Sequence, residues 1–211
     1  MRRIGRHQGA CGPVTGAGVS RFLSLLRRFR RGEDGATAVE FALVVIPFVA
    51  LMFTLIETAL VFFTEQALET AVQNSARLIL TGQVQAESYG GAVDEKLKRF
   101  REDVCAQGPF VLVSVEDCRA RVAIDVRTVS GFAAADTSLP VNHRGEIDTS
   151  NFIFSPGQAG DIVVVRVALE VPIFIPILNP GLANLANGNR LVMSSAAFRN
   201  EPFPQSVGQG T

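Results

Sequence analysis

The feature that most constrains this chain is an apolar run from Phe41 to Thr64, 24 residues in which Glu57 is the single charged residue. A helix needs about 20 apolar residues to cross the core of a bilayer. A secretory signal peptide is the competing interpretation, but its apolar region is about 7–15 residues long and a small-residue cleavage site follows it. This run is longer and has no such site, so we predict a retained membrane anchor.

The charge of the chain is divided at the start of this run. The full chain is formally neutral, yet residues 1–35 carry eight arginines against Glu33 and Asp34, a net charge of +6, which leaves −6 for the rest. Arginines beside a span remain on the cytoplasmic side. We therefore expect a cytoplasmic N-terminus, with the chain beyond about Thr64 in the periplasm or outside. Such a split indicates a boundary and not a nucleic-acid-binding protein.

Helical periodicity continues beyond the apolar run and predicts one helix from Thr37 to about Leu80, which Gly82 ends. An anchor helix followed by a separate amphipathic helix is the alternative. The predicted organisation is a basic cytoplasmic leader (1–35), a transmembrane and stalk helix (36–81) and a periplasmic domain (82–211). The apolar positions that recur on one face beyond the membrane are Val61, Leu68, Val72, Ala76 and Ile79.

Two acids and a proline interrupt this apolar character. An acid inside a membrane is costly and usually finds a partner or an aqueous face. For Glu57 we favour an acid near the outer interface that reaches water. Pro47 predicts a local bend, or a hinge with a function. Glu40, at the start of the run, has no comparable explanation from its position.

The remainder predicts an α+β domain with an antiparallel sheet of about three to four strands. A polar helix is expected over Ala92–Val104, and half-buried strands follow from period-two alternation. The strands are expected in "RVAIDVRT", over Ile162–Val171, over Arg190–Phe198 and, as the weakest candidate, over Phe110–Val115.

Two turn-rich segments separate these strands. Gly131–Gly160 is interpreted as a solvated surface loop, with subunit contact as the alternative. Pro172–Arg190 has three prolines that stop the strand, and its Gly-Leu-Ala-Asn stretch predicts a short helix. Its apolar residues either cover the core or contact a partner or the membrane surface.

The run "GATAVEFALV", Gly35 to Val44, resembles the processing site of type IV pilin-like proteins, specifically the TadE-like proteins of the Flp/Tad pilus system. In that family a prepilin peptidase cuts after a glycine on the cytoplasmic side and leaves a glutamate at the fifth mature position. The resemblance implies that Gly35 ends the leader and Ala36 becomes the new N-terminus. Glu40, with its neighbour Phe41, is then the assembly residue, since its carboxylate can neutralise an N-terminal ammonium.

Two further blocks are similar to the same family. Ser155–Leu178 resembles its central Pro/Gly turn, strand and proline-rich exit, and Ser194–Phe203 resembles its C-terminal signature. The resemblance implies a pilin-like fold in the bacterial inner membrane, with the prepilin peptidase, other pilin-like subunits of the Tad machinery and inner-membrane lipid as partners. The residues of the C-terminal motif are Arg199, Asn200, Glu201, Pro202 and Phe203.

Cys105 and Cys118 fall on the exported side, where disulfides persist, whereas Cys11 falls in the leader. Their spacing suggests one bridge, but a fully extended Phe110–Val115 would hold the two cysteines at opposite ends. Either that segment turns back or the thiols are free, and the family resemblance favours the bridge.

Three function classes follow. The first is a minor pilin or pilus assembly protein processed between Gly35 and Ala36, and the second is an uncleaved single-pass scaffold whose periplasmic domain recruits another envelope component. An enzyme is the third and is not expected: His143 lies near Asp136 and Ser138 without a nucleophile motif, metal spacing or phosphate-binding glycines. We expect no cofactor, metal, nucleic acid or small-molecule substrate.

Overall fold

The structure is a computed structural model that describes residues 33–108, 112–176 and 181–203, with side chains described from residue 36 onward. Cys11 and the basic leader lie outside these residues. The chain divides into two units whose boundary falls between Leu51 and Met52. The elements are helix α1 (Glu33–Leu80), helix α2 (Val93–Gln107), helix α3 (Val115–Arg121), and strands β1 (Ala123–Val129), β2 (Ile162–Val171) and β3 (Arg190–Arg199). The predicted α+β class with a long N-terminal helix is confirmed.

Helix α1 runs without interruption through Pro47 to Leu80, as one helix and not two. Within Ala36–Leu80 the helix is long and apolar enough to cross a bilayer. The continuous periodicity of the sequence therefore predicted the helix correctly.

Gly82 ends α1 in the way predicted, and its backbone explains why. Its φ of +78° lies in the left-handed region that glycine adopts without a Cβ penalty. In this conformation Gly82 N–H donates to the Ile79 carbonyl at 3.0 Å and Gln83 N–H to the Leu78 carbonyl at 2.9 Å. This pair of bonds is the Schellman motif, which satisfies carbonyls that the helix end would otherwise leave unpaired.

The sheet is antiparallel in the order β1-β2-β3. β2 is the central strand: Val165 pairs with Val126 of β1 on one side and with Ala196 of β3 on the other. The period-two alternation predicted β1 and β2, and the further strand predicted over Arg190–Phe198 is β3. Residues 112–115, the described part of the fourth candidate, form a bend and a helix start instead.

One face of the sheet packs against the outer half of α1 and against α2. The five predicted stripe residues of α1 are all buried, and Phe100 and Val104 of α2 are completely buried beside them. Burial of a large apolar side chain stabilises a fold by roughly 1.5–3 kcal/mol. This core therefore fixes the outer half of α1 on the sheet.

The second face of the sheet is covered, which contradicts the prediction for β2 and adds a contact to the loop predicted over Gly131–Gly160. β2 was expected to be half buried, but its residues Val163–Leu169 are buried on both faces. The cover comes from the segment expected to be a solvated loop. Most residues of that segment are exposed or partly exposed, as predicted, but Val141 and Ile147 pack on this face beside Ala168. Phe154 of the same segment enters the core on the first face, 5.7 Å from the Phe100 ring. Val126 N–H donates to the Ile153 carbonyl at 2.8 Å, so this segment also pairs with the edge of β1.

A buried ion pair lies under this cover. Asp125 and Arg166 face each other across β1 and β2, and Arg166 donates to Asp125 Oδ2 from Nη2 at 2.7 Å and from Nε at 2.9 Å. Asp125 Oδ1 accepts from Arg127 Nη2 at 2.8 Å and from Ile153 N–H at 3.1 Å. A buried charge needs such full pairing. The loop covers this face because it completes the pairing.

The structure joins Cys105 at the end of α2 to Cys118 in α3, with their Cα atoms 5.8 Å apart. The chain turns back because Ser114 caps α3, its Oγ accepting from Asp117 N–H at 3.1 Å. Capping by serine starts a helix where the apolar pattern favoured a strand. A bridge that closes a loop of this length stabilises a domain by about 3 kcal/mol in the loop-entropy model.

The predicted short helix in the Gly-Leu-Ala-Asn stretch is wrong, because residues 181–189 form turns. Leu185 in this stretch is buried and packs with Ala168 and Leu191 on the second face of the sheet. Core cover is therefore the correct interpretation for this half of the proline-rich segment.

We expect Asp125→Ala to cost about 3–5 kcal/mol of unfolding free energy, because it leaves the buried Arg166 guanidinium beside a cavity, with the exposed Asp136 as its remaining carboxylate partner. Arg127→Ala is the matched control: its side chain is 28% exposed, so water replaces the contact and the loss should be about 0–1 kcal/mol. Urea denaturation of the detergent-solubilised protein, followed by circular dichroism, measures both. Equal losses would contradict a buried pair as the main contributor.

Candidate assembly and anchoring site

The residues implied in processing lie in the first turns of α1. The helix begins at Glu33, so the Gly35–Ala36 bond is inside its first turn. Ala36, Glu40 and Phe41 are exposed. Residues four apart in a helix are neighbours on one face, so the Glu40 carboxylate lies one turn from the nitrogen of Ala36. An amine released at Ala36 would therefore be within one turn of an acid.

An exposed apolar surface extends along α1 from Val39 to Phe63. Its large side chains are between 40% and 71% exposed. Neither unit of the described chain covers them, and such a surface fits lipid or other apolar helices. The members are Val39, Phe41, Leu43, Val44, Ile46, Phe48, Val49, Leu51, Met52, Phe53, Leu55, Ile56, Phe62 and Phe63.

Glu57 does not reach water, which corrects the interpretation favoured from sequence. It is only 6% exposed. Its Oε1 accepts hydrogen bonds from the backbone N–H of Phe174 at 2.6 Å and of Ile175 at 3.1 Å. The proline-rich exit of β2 thus supplies the partner that an acid in an apolar helix needs. Glu57 is a tie between α1 and the sheet domain.

A second tie lies two turns further along α1. Arg190, at the start of β3, donates from Nη2 to Glu65 Oε1 at 2.8 Å, and its Nη1 donates to the Leu182 carbonyl at 3.0 Å. Both side chains of the ion pair are partly exposed, at 27% and 33%. A pair this exposed contributes little stability, about 0–1 kcal/mol. Its role is to set the position of β3 on the helix.

The C-terminal motif closes the far end of α1. Glu201 N–H donates to the Leu80 carbonyl at 2.9 Å. The Phe203 ring lies over Gly82, so close that a Cβ on Gly82 would meet ring atoms at 2.4 Å. The motif therefore completes the helix terminus whose turn requires glycine.

The same motif holds the Pro/Gly turn before β2. Asn200 is buried, and its amide donates to the Pro156 carbonyl at 2.9 Å and to the Gln158 carbonyl at 3.0 Å. Arg199 Nε donates to the Gly160 carbonyl at 2.8 Å. The two blocks that resemble the family outside α1 therefore meet each other at the end of the helix. Pro202, which has no N–H to donate, lies exposed between Glu201 and Phe203.

Three side chains in the described part of the sheet domain have shifted pKa values. Burial, followed by the hydrogen bond to Asp103, raises the pKa of Tyr89. Hydrogen bonds from Ser138, and to a smaller extent the Arg166 guanidinium, lower the pKa of Asp136. Hydrogen bonds from Ser150 lower the pKa of Asp148. The tyrosine thus remains neutral and both aspartates are ionised at pH 7. None of these shifts produces a group suited to acid–base catalysis.

His143 lies in the loop that covers the sheet and is exposed. In the described part of the chain, no group of three or more His, Cys, Asp or Glu side chains is arranged to hold a metal ion. The expectation of no enzymatic activity stays a prediction.

Sequence reasoning missed the partners of Glu57 and Gly82. Two signals pointed to the partner of Glu57: Glu57 is the one charge in a long apolar run, and the proline-flanked "PIFIP" offers few backbone donors of its own. Neither signal specified a contact between residues more than 100 positions apart. Such pairing follows from topology and not from local pattern.

The family model of TadE-like proteins matches residues 35–77. The match begins at the residue predicted to end the leader and extends along α1, which confirms the resemblance over this segment. It covers well under half of the chain, so the likeness of the two later blocks stays a prediction. No match is found among curated proteins or among solved structures.

We expect Gly82→Ala to destabilise the protein more than Gly160→Ala. Both glycines have positive φ, +78° and +84°, which costs an alanine roughly 1–2 kcal/mol. A Cβ at Gly160 meets nothing within 4 Å, whereas one at Gly82 must displace the Phe203 ring. In a Phe203→Ala background the Gly82→Ala loss should fall to the Gly160→Ala level. Urea denaturation measures all four variants, and equal losses in the wild-type background would refute the contact.

Proposed function

We propose that this chain is a TadE-like minor pilin or assembly protein of a Tad-type adhesive pilus. It is anchored in the bacterial inner membrane by α1, with the N-terminus in the cytoplasm and the sheet domain in the periplasm. The observation that carries the proposal is the family match that begins at Gly35 and ends at Arg77. That match and the candidate membrane helix support a protein associated with the Tad pilus.

Processing is the first step of the proposed mechanism. A prepilin peptidase hydrolyses the Gly35–Ala36 peptide bond, and water supplies the hydroxyl of the new carboxylate and the hydrogen of the new amine. An α-amino group has a pKa of about 8, so the new terminus is mainly an ammonium at neutral pH. The basic leader leaves with its charge of +6. The apolar surface of α1 remains in the membrane.

Assembly is the second step, and Glu40 directs it. A carboxylate in lipid is costly, and an ammonium within a few ångströms lowers the cost for both charges. Glu40 pairs with the amino terminus of its own helix or of a neighbouring subunit, while the exposed apolar side chains pack on those of like subunits. The partners are therefore the peptidase, other pilin-like subunits and the surrounding lipid.

The alternative is an uncleaved single-pass scaffold whose sheet domain recruits another envelope component. It needs the same anchor and the same ties at Glu57 and Glu65. It differs in having no new amino terminus, so Glu40 would not pair with one.

N-terminal sequencing of the membrane-extracted protein separates the two functions. We expect a mature chain that begins at Ala36 in cells with the peptidase and an uncut chain in cells without it. Mass determination on membranes and on sheared pili from the same cells reports where the mature chain resides. A terminus upstream of Ala36 in peptidase-containing cells would remove the processing step.

Removal of the Glu40 charge tests the assembly step separately. Glu40→Ala should leave cleavage intact and reduce surface pili strongly, because the new ammonium loses its partner. Glu69→Ala is the matched control, an exposed acid on the same helix beyond the membrane segment, and pilus numbers should be unchanged. Electron microscopy of piliated cells gives the count. Normal piliation in the Glu40→Ala strain would favour the uncleaved scaffold.

A further inference from the structure

The turn after β2 is held at a level of α1 where the helix surface is apolar. Glu57 fixes the turn through the backbone of Phe174 and Ile175. Large exposed apolar side chains lie on α1 before this point, at Ile56, and after it, at Phe62 and Phe63. The apolar surface of the helix therefore extends about 9 Å beyond Glu57 at 1.5 Å per residue.

The length of α1 places this level at the outer boundary of a bilayer. Glu57 follows Ala36 by 21 residues, which corresponds to roughly 31 Å of helix. The hydrocarbon core of a membrane is about 30 Å thick. A span that starts near Ala36 thus brings Glu57, and the turn bonded to it, into the interface of the opposite leaflet.

The chemistry of the turn suits that environment. All five side chains of Pro172–Pro176 are apolar, and only three of the five residues have a backbone N–H group. Two of these three N–H groups donate hydrogen bonds to the Glu57 carboxylate. Irregular backbone is excluded from lipid because its unpaired N–H and C=O groups are costly there. Ile173 is buried in the domain, whereas the Phe174 side chain is 67% exposed.

We infer that the Pro172–Pro176 turn is a second membrane contact of this protein, with Phe174 inserted into the lipid interface beside α1. The inference rests on the proposed anchoring of α1 in a bilayer. Aromatic residues are enriched at this depth in membrane proteins. The partner is the lipid surface itself, because the exposed ring continues the apolar band of the anchor. Glu57 is the positioning residue that holds the turn at this depth.

The chain contains no tryptophan, so a single introduced tryptophan reports local depth without interference. Three full-length variants, Phe174→Trp, Phe48→Trp and Phe132→Trp, are reconstituted in phosphatidylethanolamine and phosphatidylglycerol vesicles with brominated acyl chains. Phe48 lies within the candidate span. Phe132 is the matched control, and its side chain is 56% exposed. It follows the end of β1 that is aligned, across β2, with Arg199 of β3. The chain just after Arg199 is bonded to the C-terminal end of α1.

We expect bromine to quench the tryptophan fluorescence of the Phe48→Trp variant strongly, that of Phe174→Trp by at least half as much, and that of Phe132→Trp negligibly. Strong quenching in Phe48→Trp, together with a Phe174→Trp response like that of Phe132→Trp, overturns the inference and leaves the anchor intact. A Phe174→Trp emission that is blue-shifted but unquenched also overturns it, because protein then covers the ring. Absence of quenching in Phe48→Trp removes the anchor of the proposed function, and the inference with it.

The tie is tested in the Phe174→Trp protein. Glu57→Leu removes the acceptor of both N–H groups, so bromine quenching of the introduced tryptophan should fall at least twofold as the turn leaves the interface. Glu57→Gln keeps an oxygen acceptor at the same position and should retain quenching. Unchanged quenching in the Glu57→Leu variant would overturn the positioning role of Glu57.

Discussion

The packing of the outer half of α1 on the sheet is the interaction on which the rest of this structure depends. Ala71, Val72 and Ile79 have no exposed surface, and they meet the odd-numbered valines of β2 in one core. Apolar burial is the largest favourable contribution to folding, but it has no direction. The polar contacts at Glu57, at Glu65 and at the C-terminal motif fix the position along α1 at which the sheet packs.

Local pattern predicted the elements because their periods are strong and uninterrupted. The stripe on α1 and the alternation in β2 each continue for about ten residues or more, so one misleading residue cannot change the assignment. It failed where polar residues decided the structure. "FVLVSV" has the composition of a strand, yet Ser114 caps a helix in it, and the cover of the second sheet face depends on a carboxylate, Asp125, that needed donors from a distant loop.

The candidate site was predictable in part for the same reason. The Gly35 to Val44 run is local, and a family model matches it. The role of the C-terminal motif was not evident from its sequence, since Asn200 and Phe203 contact residues roughly 40 to 120 positions away. The prediction for Glu57 was wrong because a sequence shows that an acid is costly in an apolar run but not which backbone groups will pair with it.

The ties occur at both ends of the outer part of α1, and this distribution has a mechanical consequence. Glu57 and Leu80 are 23 residues apart, about 35 Å along the helix, and each is bonded to a different end of the sheet domain. A single tie would let the domain pivot on the helix, whereas two ties with a continuous core between them prevent it. A rotation of this outer part of α1 must therefore carry the sheet domain with it.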